Sequence, residues 1–506
     1  MAPTNGTAET SLPHSDPCTS YWQQPPDEIA DLRTTPELPQ NADIVIVGSG
    51  ISGSSIAYNL LSAKPDLKLV LLEARQAASG ASGRNGGHTK TASYRSFLEN
   101  VKAVGEEEAV KVSKLEYDCM AAVHDLVKQK GIQCDAKRCD TADVYYDQGH
   151  LDEARESVVL MEKLIPHHPS SKHTFYSPEE TKKKFFAENS LGSLRYEAGS
   201  LSAYKLTIGI LKLALDLGLS LQTNTPATSI SKDNTTWIVA TPRGNITTPT
   251  LILATNGYTA HLIPQLQEVI VPFRGVVTAQ RPGQSLPHGG DLPTTYSFVY
   301  KEGYEYMITR PSIRTPSDHA ATQRTLTNGH TPTTTSTSTA EDSAYDIVIG
   351  GGLTKTPDRG SSQFHTTDDS HSSIPQPVTS YLTSCTSTFF GTSWDPPHPL
   401  GTLRSLWSGI MGYSADGHPL VGAYPGEEGL WLDASFQGHG MVLCWLCAKA
   451  LSSMVLGREE EEKLDDWFPR CFRVSTERLA KKFSGRVVGR EVGDAESVNG
   501  FERGVG

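Results

Sequence analysis

Cysteine is scarce in this chain. Eight residues among 506, at positions 18, 119, 134, 139, 385, 444, 447 and 471, are too few and too scattered for a disulfide framework. Cys444-Trp445-Leu446-Cys447 has the spacing of a redox motif, but its setting (GMVLCWLCAKAL) is an apolar helical run, which favours two buried core thiols. Positive charge is also short. Lys and Arg number 45 against 57 Asp and Glu, and the net charge of −12 excludes the basic face that nucleic acid requires. No run of about 18 apolar residues exists, so no membrane span is expected. No Cys/His set has zinc spacing and no metal is expected; His167, His168, His365 and His371 lie in Ser/Pro-rich sequence and read as solvated loops. The N-terminus lacks the basic start and apolar run of a secretory signal, and Gly504-Val505-Gly506 is no organelle address. A soluble, cytoplasmic protein is the expectation. There is no internal repeat.

The chain does contain enough apolar sequence, 37% against 20% charged, to bury a substantial core in two or three domains. Residues 1–40 are polar and proline-rich and read as an N-terminal extension or strap. Asp43–Val47 (DIVIV) and Lys68–Leu72 (KLVLL) read as buried parallel strands flanking a helix over Ser52–Ala63. Residues 101–165 read as largely helical. The segments 41–100, 201–262 and 400–457 are assigned to one discontinuous α/β domain with a parallel sheet. Residues 101–200 and 263–399 are assigned to a second, α+β domain on a mixed or antiparallel sheet. Residues 311–343 are a low-complexity Ser/Thr/Pro insertion between the arms of a hairpin, EYMITR and YDIVIGGG. A second Ser/Thr-rich stretch, 355–388, also reads as a disordered insertion or loop on the sheet. Residues 458–506 read as an acidic C-terminal tail whose run REEEEKLDD is solvated.

Gly48-Ser49-Gly50-Ile51-Ser52-Gly53 has the spacing of a dinucleotide fingerprint. It follows a strand, opens a helix, and is followed by a second strand ending in Glu73, twenty residues after Gly53. Gly48 suits the tight turn, Gly50 the approach of backbone to a pyrophosphate, and Gly53 the packing of helix on strand. The helix N-terminus offers unpaired N–H groups to phosphate, and Glu73 suits ribose hydroxyls. After Glu73-Ala74-Arg75 a second glycine-rich loop follows, Ser79-Gly80-Ala81-Ser82-Gly83-Arg84-Asn85-Gly86-Gly87-His88. So much bare backbone beside the first loop suits a cofactor longer than a nicotinamide dinucleotide, and favours FAD over NAD.

With these motifs the chain resembles the FAD-dependent oxidoreductases of the D-amino acid oxidase type, and Gly80–Gly87 is most similar to the γ-glutamylputrescine oxidase and glycine oxidase-like branch. Later motifs occur in the family's order: Ala254-Thr255-Asn256-Gly257-Tyr258, Val271–Gly275 (VPFRG), Gly412–Gly422 (GYSADGHPLVG, with Gly412 and Asp416), and Gln437-Gly438-His439-Gly440-Met441. The resemblance implies a Rossmann-type FAD domain with a second substrate domain. It also implies that these segments, with Ala227 beside the adenine, surround the cofactor. The last motif opens a helix toward the flavin pyrimidine ring, where a helix N-terminus stabilises the anionic reduced flavin.

The implied reaction is oxidation of a C–N bond of an amine or amino acid. Hydride passes to flavin N5, the imine is hydrolysed, and O2 or another acceptor reoxidises the flavin. A dehydrogenase or tailoring oxidase acting on a C–O or C–C bond, and a non-catalytic FAD-stabilised interaction protein, remain alternatives. His88 is a candidate flavin or substrate contact, a packing residue, or a covalent attachment point. Some relatives attach FAD through a histidine nearer the position of Arg84; others use a cysteine that SLWSGIMGYSAD lacks, so the FAD is expected to be non-covalent. Arg274 is a candidate partner for a substrate carboxylate or the flavin, or a structural ion-pair residue. Tyr413 is a candidate catalytic residue, and it joins Tyr304 and Tyr306 as a candidate pocket wall. Amino acid against simple amine is left undecided.

Overall fold

The computed structural model describes residues 9–312 and 342–485. Ile44–Val47 (β1) is buried along its whole length because it lies inside a parallel sheet with both faces covered. Gly50 caps the helix Ile51–Ala63 (α1), which leads to Leu69–Leu72 (β2). Both strands align in register, Ile44 opposite Leu69 and Val47 opposite Leu72. The sheet has six strands in the order 420–423, 430–434, 250–253, β1, β2, 220–222, and only the first pair is antiparallel.

The chain then enters a second sheet through His88–Lys90 (β3), and crosses the helices Tyr94–Val104 (α2) and Glu106–Lys130 (α3) to reach Lys137–Tyr145 (β4). The helix Gln148–Leu164 (α4) follows. A strand thus interrupts the helical reading of 101–165. The sheet runs 403–414, 270–280, 345–350, 303–311, 294–300, β4, 192–200, β3, and its one parallel pair joins 294–300 to β4. The arms of the expected hairpin pair across the insertion, Thr309 opposite Ile347, while 313–341 of it lie outside the described residues.

Two expectations are corrected. The stretch 355–388 is no disordered loop: Gln376–Phe390 is a helix that buries Val378, Leu382, Cys385, Phe389 and Phe390. These positions keep helical spacing, and the Ser and Thr between them masked it. The acidic tail is likewise folded through 485. Leu464, Phe468 and Phe472 are buried in the core, and Val474 N–H donates to Val421 O. The N-terminal segment is a strap: Tyr21 stacks on Trp407, and Trp22 Nε1 donates to Asn85 O at 2.6 Å. Cys444 and Cys447 are buried, all eight cysteines are free, and no helix among the described residues is long and apolar enough to cross a membrane.

Candidate cofactor and substrate cavity

Between the two sheets runs one continuous cavity. At one end lie the first glycine loop, Glu73, Arg75 and Ala227; at the other, β3, Tyr304 and Tyr306. The loop geometry follows from its glycines. Gly48 sits at φ +104, where a Cβ would lie 2.6 Å from Ala254 O. A Cβ on Gly53 would lie 1.9 Å from Gly48 O, so α1 can pack on β1 only with glycine there. Gly50, Ile51 and Ser52 therefore present the start of α1 to the cavity. Glu73 lines the cavity and also ties the loop: its Oε2 accepts from Ser49 N–H at 3.0 Å and Ser49 Oγ at 2.6 Å.

The second glycine loop closes over the first. Ser82 Oγ accepts from Ile51 N–H at 2.8 Å, joining the two. Arg84 donates through Nε to Ser79 O at 2.7 Å and through Nη1 to Ser408 O at 3.0 Å. Asp369, fully buried, pairs with Arg75 at 3.0 Å and lies 3.5 Å from Arg84. Sequence reasoning missed Asp369 because it lies in the Ser/Thr-rich stretch read as a loop. Asn85 Oδ1 accepts from Gly87 N–H at 2.7 Å, holding the turn that leads into β3.

Of the residues singled out in the sequence, Gly48, Gly50, Ile51, Ser52, Glu73, Ala74, Arg75, Gly80, Ala81, Ser82, Arg84, Asn85, Gly86, His88, Ala227, Thr255, Asn256, Tyr413, Gln437, Gly438, His439, Gly440 and Met441 all line the cavity. Ser49, Gly53, Ser79, Gly83, Gly87, Gly257 and Gly412 stand behind this wall and pack it. Two expectations fail. Arg274 is turned away from the cavity and donates to Gln363 Oε1 at 2.9 Å and Asp368 O at 3.1 Å, so it is structural. Asp416 is held by Arg478 at 2.8 Å and fastens the C-terminal segment instead of meeting the cofactor. In both cases the family-like motif lies at the right place in the chain, but Arg274 points away by alternation between the cavity-lining Phe273 and Gly275, and Asp416, in the turn after the strand 403–414, is drawn off by Arg478.

The substrate-sheet end carries a buried polar cluster that the motifs did not reveal. His88 and Lys90, two residues apart on β3, face the cavity together. His88 Nε2 lies 2.6 Å from Thr295 Oγ1; burial, reinforced by the Lys90 charge, holds its pKa well below the usual value, so it is neutral. Lys90 Nζ donates to Asp143 Oδ1 and, at 2.5 Å, to Ser297 Oγ. Burial pulls its pKa down to about 7 despite the opposing Asp143. Arg95 donates from Nε at 3.2 Å and Nη2 at 2.7 Å to Asp143 Oδ2. Burial opposes ionisation of Asp143, yet Arg95 and Lys90 outweigh it and hold the carboxyl well below its ordinary range. The signal available in the sequence was the period of two from His88 to Lys90.

Whether the cavity suits FAD can be judged from its polar atoms. Gln437 Oε1, Tyr258 Oη and His261 Nε2 are buried, belong to cavity-lining residues, and find no partner among the described residues. Buried polar atoms of this kind call for a ligand atom. Three of them along a cavity that opens with a helix N-terminus and a carboxylate fit an elongated cofactor with phosphates, ribose and a polar ring. Among the described residues no group of His, Cys, Asp and Glu is arranged to hold a metal ion.

Comparison with known proteins agrees with this geometry. The profile of the DAO family, described as FAD dependent oxidoreductase, matches residues 43–454. The curated "Probable oxidoreductase OrdL" of Haemophilus influenzae is 27% identical over 256 residues, 48% of this chain and 56% of that protein. "Gamma-glutamylputrescine oxidoreductase" of Escherichia coli is 30% identical over 116 residues, 23% of this chain and 26% of that protein. The chain therefore matches only about half the length of the first and about a quarter of the second. Among solved structures, glycine oxidase from Geobacillus kaustophilus superposes with a TM-score of 0.63 at 16% identity, over 86% of this chain and 99% of that one. Iminodiacetate oxidase from Chelativorans gives 0.61 at 14%, over 84% and 98%. At such identities the likeness is one of fold.

Proposed function

The chain belongs to the DAO family of FAD-dependent oxidoreductases, and from that premise we propose that it oxidises the C–N bond of an amine or amino acid, releasing an imine that water hydrolyses, with O2 as the final acceptor. The observation that carries this reading is the single cavity joining the two glycine loops to β3 and its polar cluster.

FAD, when bound, supplies acceptance of the hydride. The protein binds and orients. Gly50, Ile51 and Ser52 present the positive end of α1 to the pyrophosphate, and Glu73, Arg75 and Ala227 take the adenosine end. Gln437 through Met441 hold the opposite end, with the Gln437 amide oxygen free to accept a hydrogen bond. Tyr306, whose ring lies over Gly86, and Tyr413 form apolar walls that exclude water. His88 stands at the cavity as a neutral, non-covalent contact.

The test is direct. The purified protein is expected to be yellow, and acid precipitation is expected to move its flavin absorbance into the supernatant. Anaerobic addition of an amine and amino-acid panel is expected to bleach it, and oxygen to restore it with release of peroxide. A flavin-free protein, or a flavoprotein that no member of the panel bleaches, defeats the reading.

A further inference from the structure

We propose that Asp433 is a positioning residue that makes retention of FAD depend on pH: as a neutral carboxylic acid behind the start of α1 it leaves the pyrophosphate seat open to an anion, and on ionising it weakens the hold on the cofactor. The inference concerns the cofactor end of the cavity and is independent of which bond the enzyme oxidises.

Asp433 stands on the strand 430–434, where Leu432 packs into the core on one side of the sheet and Trp431 and Asp433 face the other. It is fully buried, and neither carboxyl oxygen makes a hydrogen bond among the described residues. The groups around it are uncharged. Ser52 comes from α1, Cys444 and Cys447 come from the helix Cys444–Val455, and Cys119 of α3 lies against those two thiols. Its partner across the sheet is Val421. Burial raises the thiols of Cys119, Cys444 and Cys447, so they stay protonated. Among the described residues no cation acts on Asp433, and burial raises its pKa to about 7 against the opposing pull of the Ser52 hydroxyl. A carboxylate in such surroundings has nothing to offset its desolvation, so it keeps its proton.

Position turns this buried acid toward the cofactor. Ser52 and Cys444, which flank it, both line the cavity. Ser52 is the second residue of α1, whose first turn offers its unpaired N–H groups to the pyrophosphate. Ionising Asp433 puts a negative charge one side chain behind a seat that must hold a diphosphate, in surroundings that screen poorly. The rival arrangement is a carboxylate held by the N-terminus of α1 or of Cys444–Val455, but neither helix donates an N–H to it. Linkage gives the sign. Without cofactor Asp433 titrates at about 7, and a bound diphosphate raises that value further. FAD binding then takes up a proton above about pH 7 and none well below it, so affinity is level in acid and falls as pH rises.

The experiment dilutes the holoenzyme at a series of pH values and reads released FAD by its fluorescence. The dissociation constant is expected to be level below about pH 6 and to rise by about tenfold or more by about pH 9. Asp433→Asn keeps the shape without the charge, and is expected to match wild type at about pH 6 and to flatten the rise. Lys90 loses its proton in the same range but lies at the far end of the cavity, so Lys90→Met is expected to leave the rise in place. Infrared spectra of wild-type holoenzyme with isotopically labelled aspartate carboxyls need no variant. A protonated aspartate band is expected at about pH 6, because Asp143 and Asp416 are held ionised by their cations while Asp433 is not. Its loss at higher pH is expected to accompany flavin release. Thermal melting reports folding of each variant, and if Asp433→Asn does not fold the wild-type profile and band decide. A level wild-type profile, no protonated band, a rise that survives Asp433→Asn or vanishes in Lys90→Met, or folded Asp433→Asn protein that holds no flavin at about pH 6 overturns the proposal. Failure of the C–N oxidation reading is recognised separately, because flavin release is measured without substrate.

Discussion

Single residues set the limits of this site. A Cβ at position 53 would lie 1.9 Å from the Gly48 carbonyl, so backbone must move to admit one. Gly53→Ala is therefore expected to yield protein with much less flavin per chain, measured as the ratio of visible to protein absorbance. A second residue carries a pH signature. Glu305 accepts from Tyr300 Oη at 2.6 Å and Gly352 N–H at 3.1 Å through Oε1, while Oε2 is buried without a hydrogen-bond partner among the described residues. Burial raises its pKa to about 7. A raised carboxyl pKa means that the folded state keeps a proton the unfolded chain has already lost. Stability is then highest below the ordinary value near 4.5 and falls as pH rises toward about 7. Glu305→Gln, which cannot ionise, is expected to raise the melting temperature relative to wild type by more at about pH 8 than at about pH 5, measured by calorimetry at both. An equal shift at the two pH values would contradict this account.

At the scale of elements, the helix Gln376–Phe390 shows how composition can mislead. Its polar residues are Ser and Thr, which are weak helix formers that compete for backbone hydrogen bonds, so the segment reads as a loop. Its apolar residues nevertheless recur at 378, 382, 385 and 389, and that stripe packs on the substrate sheet. Ser384 turns its hydroxyl back to Ser380 O at 3.2 Å, satisfying itself on the exposed face. Leu382, fully buried, is the centre of the stripe. Leu382→Ala is expected to destabilise the protein by about 3 kcal/mol, read from urea unfolding. The glycine loops behaved differently. Their spacing after a strand and before a helix was legible without tertiary context, since the backbone demands that impose glycine are local.

At the scale of the whole molecule, residues 458–485 fasten onto the turn and strand around 416–421. Arg478 pairs with Asp416 through Nε at 2.8 Å and Nη2 at 2.9 Å, and donates to Pro419 O and His418 O. The pair is largely buried, and burial opposes ionisation of Asp416, but Arg478 holds its carboxyl well below the usual range. Removing one partner leaves a charge stranded. Arg478→Met is expected to cost about 3 kcal/mol of stability, and adding Asp416→Asn to recover much of it, because the second change removes the orphaned carboxylate. A double variant no more stable than the single one would show that the pair's charges are not what matters.

The chain by itself determined the parallel strands, the two glycine loops, the order of the family-like motifs and hence the cofactor, because each depends on neighbours within a few residues or on spacing along one segment. It also indicated the hairpin arms on either side of the insertion, whose alternation survived the interruption. The tertiary structure alone decided which polar side chains face the cavity. Arg274 and Asp416 lay in the right motifs but were claimed by Gln363 and Arg478, 89 and 62 positions away. Lys90, Arg95 and Asp143 belong to three separate elements and meet only because β3 and β4 both pair with the strand 192–200 and α2 packs beside them. Beyond the period of two from His88 to Lys90, a charge cluster built from such distant positions leaves no motif in the sequence. The physical reason is that burial, which shifts the charge state of its members, exists only once the sheet has formed.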